Sequence, residues 1–212
     1  MTFRAALFDL DGTLQDSEIV WVQATRDYVR AKGYPLSDEE ALKIVYGRSW
    51  TNMCEDIVRL VPSLASSTPL QMADEARVFF NHLVADADIA IPGSVALFKR
   101  LAKTMQVAIV SGSPRADIAI AIKNLGLEES ISFYIGAEEY GNGKPDPACY
   151  LMGAARAGVE PAECVVFEDA TAGILAAKRA GMHAVALRIP GRPAQDLSAA
   201  DEILEDLSLW NG

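Results

Sequence analysis

Two carboxylates one residue apart, Asp9 and Asp11, close an apolar run that begins at Ala5. Side chains of a strand alternate with a period of two, so both acids leave the strand end on the same side. Like charges so close repel. They are tolerable when a cation lies between them, or when one carboxyl keeps its proton and serves as an acid. Gly12 and Thr13 follow and turn the chain sharply, which lets backbone N–H groups approach an anion. The stretch thus offers a nucleophile, a proton donor, a metal ligand and an anion cradle. Alone it is also an ordinary strand end and turn, so its meaning depends on what converges on it.

Three further polar features follow apolar runs. Ser111-Gly112-Ser113 comes after Gln106–Val110, Lys144 lies in the Gly-Lys-Pro-Asp-Pro loop after Phe133–Gly136, and Glu168-Asp169 comes after Cys164–Phe167. Carboxylate oxygens from Asp9, Asp169 and Glu168, with the backbone carbonyl of Asp11 and water, would supply the octahedral oxygen shell that Mg²⁺ demands. Ser111 offers a hydroxyl, and the amides of Gly112 and Ser113 precede a helix whose N-terminal dipole favours an anion. Lys144 adds a point positive charge suited to phosphate. The set describes phosphoryl transfer, in which a positioned nucleophile and neutralised equatorial oxygens carry the catalysis. Each feature alone has a plain structural use as a turn, a helix cap or a solvated lysine. Gly173, with Ala172, Ala176, Ala177 and Ala180, reads as a small-residue face that lets a helix pack close to a sheet, and His82 and His183 read as structural.

The elements that must place these residues alternate between strand and helix from residue 92 onward. Helical patterns at 94–103, 114–125, 147–157 and 170–180 separate the apolar runs, with a fifth strand at Ala184–Leu187. Such alternation predicts right-handed βαβ units and a parallel sheet covered by helices on both faces. In open sheets of this kind ligands bind at the carboxyl ends of the strands, which is where all four polar features fall. From Asp16 to Ile89 every pattern is helical. Ser37-x-x-Glu40 reads as a capping box, and Thr68-Pro69-Leu70-Gln71 as a capping box with proline at the first helical position. The expected fold class is α/β, a Rossmann-like core at 1–15 and 92–212 with an all-helical domain, 16–91, inserted after the first strand. Ile203-Leu204 fits either a last short strand or a helix.

Half of the residues are hydrophobic and the formal net charge is −10. That charge argues against nucleic acid or an anionic membrane as a partner, because both require a basic surface. Cys54, Cys149 and Cys164 show no metal or disulfide spacing and suit small core positions in a reducing, cytoplasmic setting. No apolar segment approaches membrane-spanning length.

The motifs Asp9-Leu-Asp11-Gly-Thr-Leu-x-Asp16, Val110-Ser111-Gly-Ser113, Gly143-Lys144-Pro-Asp-Pro147 and Phe167-Glu168-Asp169-Ala-x-x-Gly173-Ile resemble the haloacid dehalogenase-like superfamily, in its phosphatase and β-phosphoglucomutase-like branch. The resemblance spans nearly the whole chain. It implies Asp9 as a nucleophile that becomes an aspartyl-phosphate, and Asp11 as the acid and then the base. It implies Mg²⁺ on Asp9, the Asp11 carbonyl, Asp169 and Glu168, with Ser111 and Lys144 on the transferring phosphoryl group. The helical insertion would be a cap, with its hinge near Asp16 and Pro92 and with Arg48 placed to hold a second anionic group. Mutases of the branch carry a histidine ten residues after the second motif aspartate, where this chain has Trp21. The expected activity is therefore Mg²⁺-dependent hydrolysis of a small phosphorylated metabolite, a sugar phosphate or a phosphorylated short acid, by a monomer or weak homodimer. A phosphosugar mutase is the nearest alternative, and a binding protein without turnover a more distant one.

Overall fold

A computed structural model describes residues 2–45, 50–86, 88–192 and 194–212. The chain divides into two compact units, Met1–Gln15 with Ala90–Gly212, and Asp16–Ile89. The first unit holds a six-stranded sheet in which every pairing is parallel, in the order β3-β2-β1-β4-β5-β6. The strands are β1 (Ala5–Phe8), β2 (Gln106–Val110), β3 (Phe133–Ile135), β4 (Cys164–Glu168), β5 (His183–Leu187) and β6 (Glu202–Leu204). The ambiguous Ile203-Leu204 pair thus lies in a strand, with Ile203 opposite Ala186. The tail there also closes the core, because Leu207 and Trp210 are buried.

Alternation along the strands sorts their side chains into two cores. Ala6 and Phe8, Val107 and Ile109, and Val165 and Phe167 face one side, with Leu97, Phe98, Ile118 and Ile122. Ala5 and Leu7, Ala108 and Val110, and Val166 face the other, with Tyr150, Ala154, Ile174 and Ala177. Both faces are buried, which is why the strands read as unbroken apolar runs and not as alternating ones. Phe8 and Phe167 stack with ring centroids 4.4 Å apart. Fully burying a side chain of this kind stabilises by about 1.5–3 kcal/mol.

The order of the strands reverses direction at β1, which lies between β2 and β4. In the register Phe8 pairs with both Ile109 and Phe167, so Asp9, Val110 and Glu168 emerge at one level of the sheet. This is the crevice where parallel sheets bind ligands.

In sequence order the helices of the second unit are α1 (Ser17–Ala31), α2 (Asp38–Val45), α3 (Trp50–Leu60) and α4 (Pro69–Asp86). Both capping boxes form: Ser37 and Glu40 exchange backbone-to-side-chain bonds of 2.9 and 3.2 Å, and Thr68 and Gln71 bonds of 2.8 and 3.2 Å. Tyr28, Val29, Leu36, Ile57 and Met72 fill its core, while Trp21 stacks on Phe80 at 4.3 Å. Arg48 lies outside the described residues.

The first unit continues with α5 (Pro92–Leu101), α6 (Arg115–Asn124), α7 (Ala148–Ala157) and α8 (Thr171–Arg179). Helix α5 begins two residues before the patterned Ser94, because Pro92 fits the first helical position. None of the described helices is long and apolar enough to cross a membrane. Cys54, Cys149 and Cys164 are buried free thiols.

Candidate active site

Asp9 is the first residue beyond β1, and its N–H donates to the Phe167 carbonyl at 3.0 Å. Its carboxylate is buried and accepts from the Lys144 ammonium, Nζ to Oδ1 2.5 Å. Lys144 arrives on the loop between β3 and α7, whose Lys144–Pro145 peptide is cis. The same ammonium donates to Glu168 Oε1 at 2.6 Å and to the Val110 carbonyl at 3.2 Å. Burial opposes the charged form of Lys144, but Asp9 and Glu168 outweigh it and push the ammonium above its ordinary range.

Glu168 is saturated. Oε1 accepts from Lys144 and from the buried Tyr150 hydroxyl at 2.8 Å, and Oε2 accepts from the N–H groups of Asp169 and Ala170 at 3.1 and 3.2 Å. A β-carbon on Gly173 would overlap this carboxylate. Gly173, read from the sequence as letting a helix pack close to the sheet, does so at the end of β4, where it leaves the space in which the Glu168 side chain lies. Its neighbours Ala176 and Ala177 do pack in the core.

Asp169 Oδ1 accepts from the Thr13 hydroxyl at 3.2 Å, and its Oδ2 lies 3.6 Å from the Arg192 guanidinium. Arg192 also donates to the Gly12 carbonyl at 2.8 Å. Gly12 has φ +95°, and a β-carbon there would strike the Asp169 carboxylate, so the sharp turn requires glycine twice over.

Asp11 is held at both oxygens. The Ser113 hydroxyl donates to Oδ2 at 2.6 Å, and the Gln15 amide donates to Oδ1 at 2.9 Å. Ser111 is buried at the end of β2, where its Oγ accepts from the Ser113 N–H at 2.9 Å and its carbonyl accepts from Tyr140. Gly112 lies between them in the turn before α6. The structure therefore brings Asp9, Lys144, Glu168 and Asp169 into one cluster, and it joins Asp11 to the Ser111–Ser113 turn.

Asp9, Glu168 and Asp169 each present a carboxylate oxygen, all within 4.8 Å of one another. Burial, and after it the neighbouring carboxylates, raises Asp9 well above the ordinary carboxylate range against the pull of Lys144. Burial and Glu168 likewise raise Asp169 to about 7. An all-oxygen set with this excess of negative charge, two of its three members buried, fits a hard divalent cation.

The sequence reading missed Gln15, Tyr150 and Arg192. Gln15 carried a faint signal, as a polar residue inside the first motif. Tyr150 sat unmarked in an apolar helix, and Arg192 in a weakly patterned tail.

Residues 3–181 match the haloacid dehalogenase-like hydrolase family. The chain belongs to that family. This hydrolase is 33% identical over 207 residues to the validoxylamine A 7'-phosphate phosphatase of Streptomyces hygroscopicus subsp. limoneus, covering 97% of its own length and 95% of the relative's. It is 32% identical to hexitol phosphatase A of Escherichia coli K12, covering 98% and 93%. In fold it is similar to CbbY from Rhodobacter sphaeroides in complex with phosphate, with a TM-score of 0.80 at 20% identity, covering 98% and 96%.

Proposed function

We propose that the chain is a Mg²⁺-dependent phosphomonoesterase acting on a small phosphorylated metabolite, a sugar or polyol phosphate or a phosphorylated short acid. One observation carries the reading: Asp9 sits against the partly buried ammonium of Lys144, while Asp11, on the same strand end, is held at both oxygens. A nucleophile, an anion-binding charge and a proton carrier are the parts a phosphoryl transfer needs. The phosphatase relatives support the choice of reaction.

Asp9 attacks phosphorus through a carboxylate oxygen. The Asp9–phosphorus bond forms as the ester P–O bond breaks, and Asp11 gives its proton to the departing oxygen. Asp11, now ionised, takes a proton from water as the water oxygen attacks phosphorus. The aspartyl–phosphorus bond then breaks, phosphate leaves, and both side chains return to their starting states. Lys144, with the Ser111 hydroxyl and the Gly112 amide, neutralises and orients the equatorial oxygens, whereas the Ser113 N–H, expected from the sequence to join them, is already donated to the Ser111 Oγ at 2.9 Å. Mg²⁺ would be held by Asp9, Asp169 and the Asp11 carbonyl, and would offset charge on the phosphoryl oxygens. Glu168 reaches such an ion only by giving up one of its four donors, so we assign its first duty to Lys144. The helical unit, bounded at 16–91 from the sequence and at Asp16–Ile89 in the structure, is assigned the role of cap.

The test is a phosphate-release screen over phosphorylated metabolites with and without Mg²⁺, paired with Asp9→Asn. Release should require Mg²⁺, Asp9→Asn should abolish it, and rapidly quenched wild type should carry the mass of one phosphoryl group. Turnover by pure Asp9→Asn would overturn the nucleophile. Conversion of β-glucose 1-phosphate to glucose 6-phosphate without free phosphate would establish the mutase instead. Binding of metabolites with no turnover across the panel would leave the binding protein.

A further inference from the structure

Asp11 is gripped from two sides by groups of different hydrogen-bonding character. On one side is Gln15, only 8% exposed, whose Nε2 lies 2.9 Å from Oδ1. On the other is the Ser113 hydroxyl, 2.6 Å from Oδ2. The backbone leaves Gln15 little freedom. Its N–H donates to the Leu10 carbonyl at 3.1 Å, its carbonyl accepts from the Gly12 N–H at 2.7 Å, and it forms bridges with Asp11 and Ala90.

We propose that Gln15 is a positioning residue for Asp11, fixing its carboxylate so that Oδ2 is the oxygen offered to the departing group. The inference rests on Asp11 being the proton carrier. A carboxamide nitrogen donates and never accepts, so Oδ1 is committed as an acceptor and a proton placed there would face another N–H. A hydroxyl both donates and accepts, so Oδ2 can face Ser113 with or without a proton. Gln15 therefore settles which oxygen works, and Ser113 accommodates both states of it. The rotamer held this way also spares the ordering cost of aligning the acid with the ester oxygen in each cycle.

The experiment exploits leaving-group chemistry on the Mg²⁺-saturated enzyme. An alkyl phosphate needs a proton on its departing oxygen, whereas nitrophenolate departs readily without one. A positioning residue for the acid should therefore matter on the first substrate and hardly on the second. Gln15→Met keeps the length and removes the donor. It should lower kcat/KM about tenfold on an alkyl phosphate and less than about threefold on p-nitrophenyl phosphate, a part of the full acid contribution. Gln15→Glu, which cannot donate when ionised, should show the same selectivity, and decides the matter if the methionine variant is poorly folded by circular dichroism. Asp11→Asn, run beside them and read as the rate of phosphoryl-enzyme formation because Asp11 also serves as base in the later hydrolysis, should show the same pattern more strongly. If Asp11→Asn is selective while the Gln15 variants lose nothing, or lose equally on both substrates, Gln15 has no such role. If Asp11→Asn is itself unselective, the acid assignment is wrong and the proposal falls with it.

Discussion

Glu168 shows how much of this site depends on the bonds that hold a side chain in place. Its carboxylate is buried, accepts from four donors and lies in space that only glycine leaves at position 173. Gly173→Ala should therefore destabilise the fold by about 1–3 kcal/mol, since an added methyl must displace a fully bonded carboxylate. Urea unfolding measures this directly, and an unchanged midpoint would contradict the packing described. Asp9, Asp11 and Asp169 were legible as candidates because charged residues just beyond apolar runs stand out, and Lys144 because it lies in the Gly-Lys-Pro-Asp-Pro loop. Tyr150 and Arg192 were not, because what recruits them is contact with groups far along the chain, Glu168 for one and Gly12 for the other. Gly173 was only half legible: the sequence shows a small residue that lets a helix approach the sheet, but not the carboxylate that occupies its missing side chain.

The loop that delivers Lys144 depends on an ion cluster at its base. Glu139 accepts from Arg115 at 2.6 Å, from Arg156, and from the Gly136 N–H at 3.0 Å, while Arg115 lies 4.1 Å from the centre of the Tyr134 ring. Burial opposes the ionised form of Glu139, but the Gly136 N–H and the two guanidinium groups outweigh it and lower its pKa from 4.5 to about 2. A folded-state pKa below the unfolded value means that the stabilisation is complete above about pH 4.5 and is lost as pH falls toward 2. Both arginines are more than a third exposed, so solvent screens much of the effect. Glu139→Gln should cost about 1–2 kcal/mol near pH 7 and progressively less below pH 4.5, where the wild-type carboxylate is being protonated as well. Denaturant titrations at several pH values check the convergence. The elements themselves were legible from their punctuation: Gly158 stops α7 with φ +65°, as a left-handed helix stop should. β6 was not, since three residues at a sheet edge give too short a pattern for their period to register.

Across the whole molecule, a cation held as proposed by the carboxylate cluster would link its binding to stability. A ligand that binds only the folded state at 100 times its dissociation constant adds about 2.7 kcal/mol. Mg²⁺ should accordingly raise the thermal midpoint, a chelator should reverse the rise, and Asp169→Asn should remove the response. Calorimetry with and without the ion reads all three, and an equal rise in Asp169→Asn would move the cation elsewhere. Ca²⁺ should stabilise as well yet inhibit turnover, because its larger and looser shell would misplace the nucleophile.

The chain leaves the sheet at Gln15 and rejoins it at Ala90, and those two residues pair antiparallel. Rungs continue on either side, from the Ile91 N–H to Leu14 and from the Asp16 N–H to Ile89, at 2.9 and 2.7 Å. Entry and exit are thus one ribbon, and residues 16 to 89 are the segment of chain between its two strands. Selection can swap, lengthen or trim that segment while the ribbon keeps the same two ends in register, and protein engineers can treat the ribbon as a socket for grafted segments.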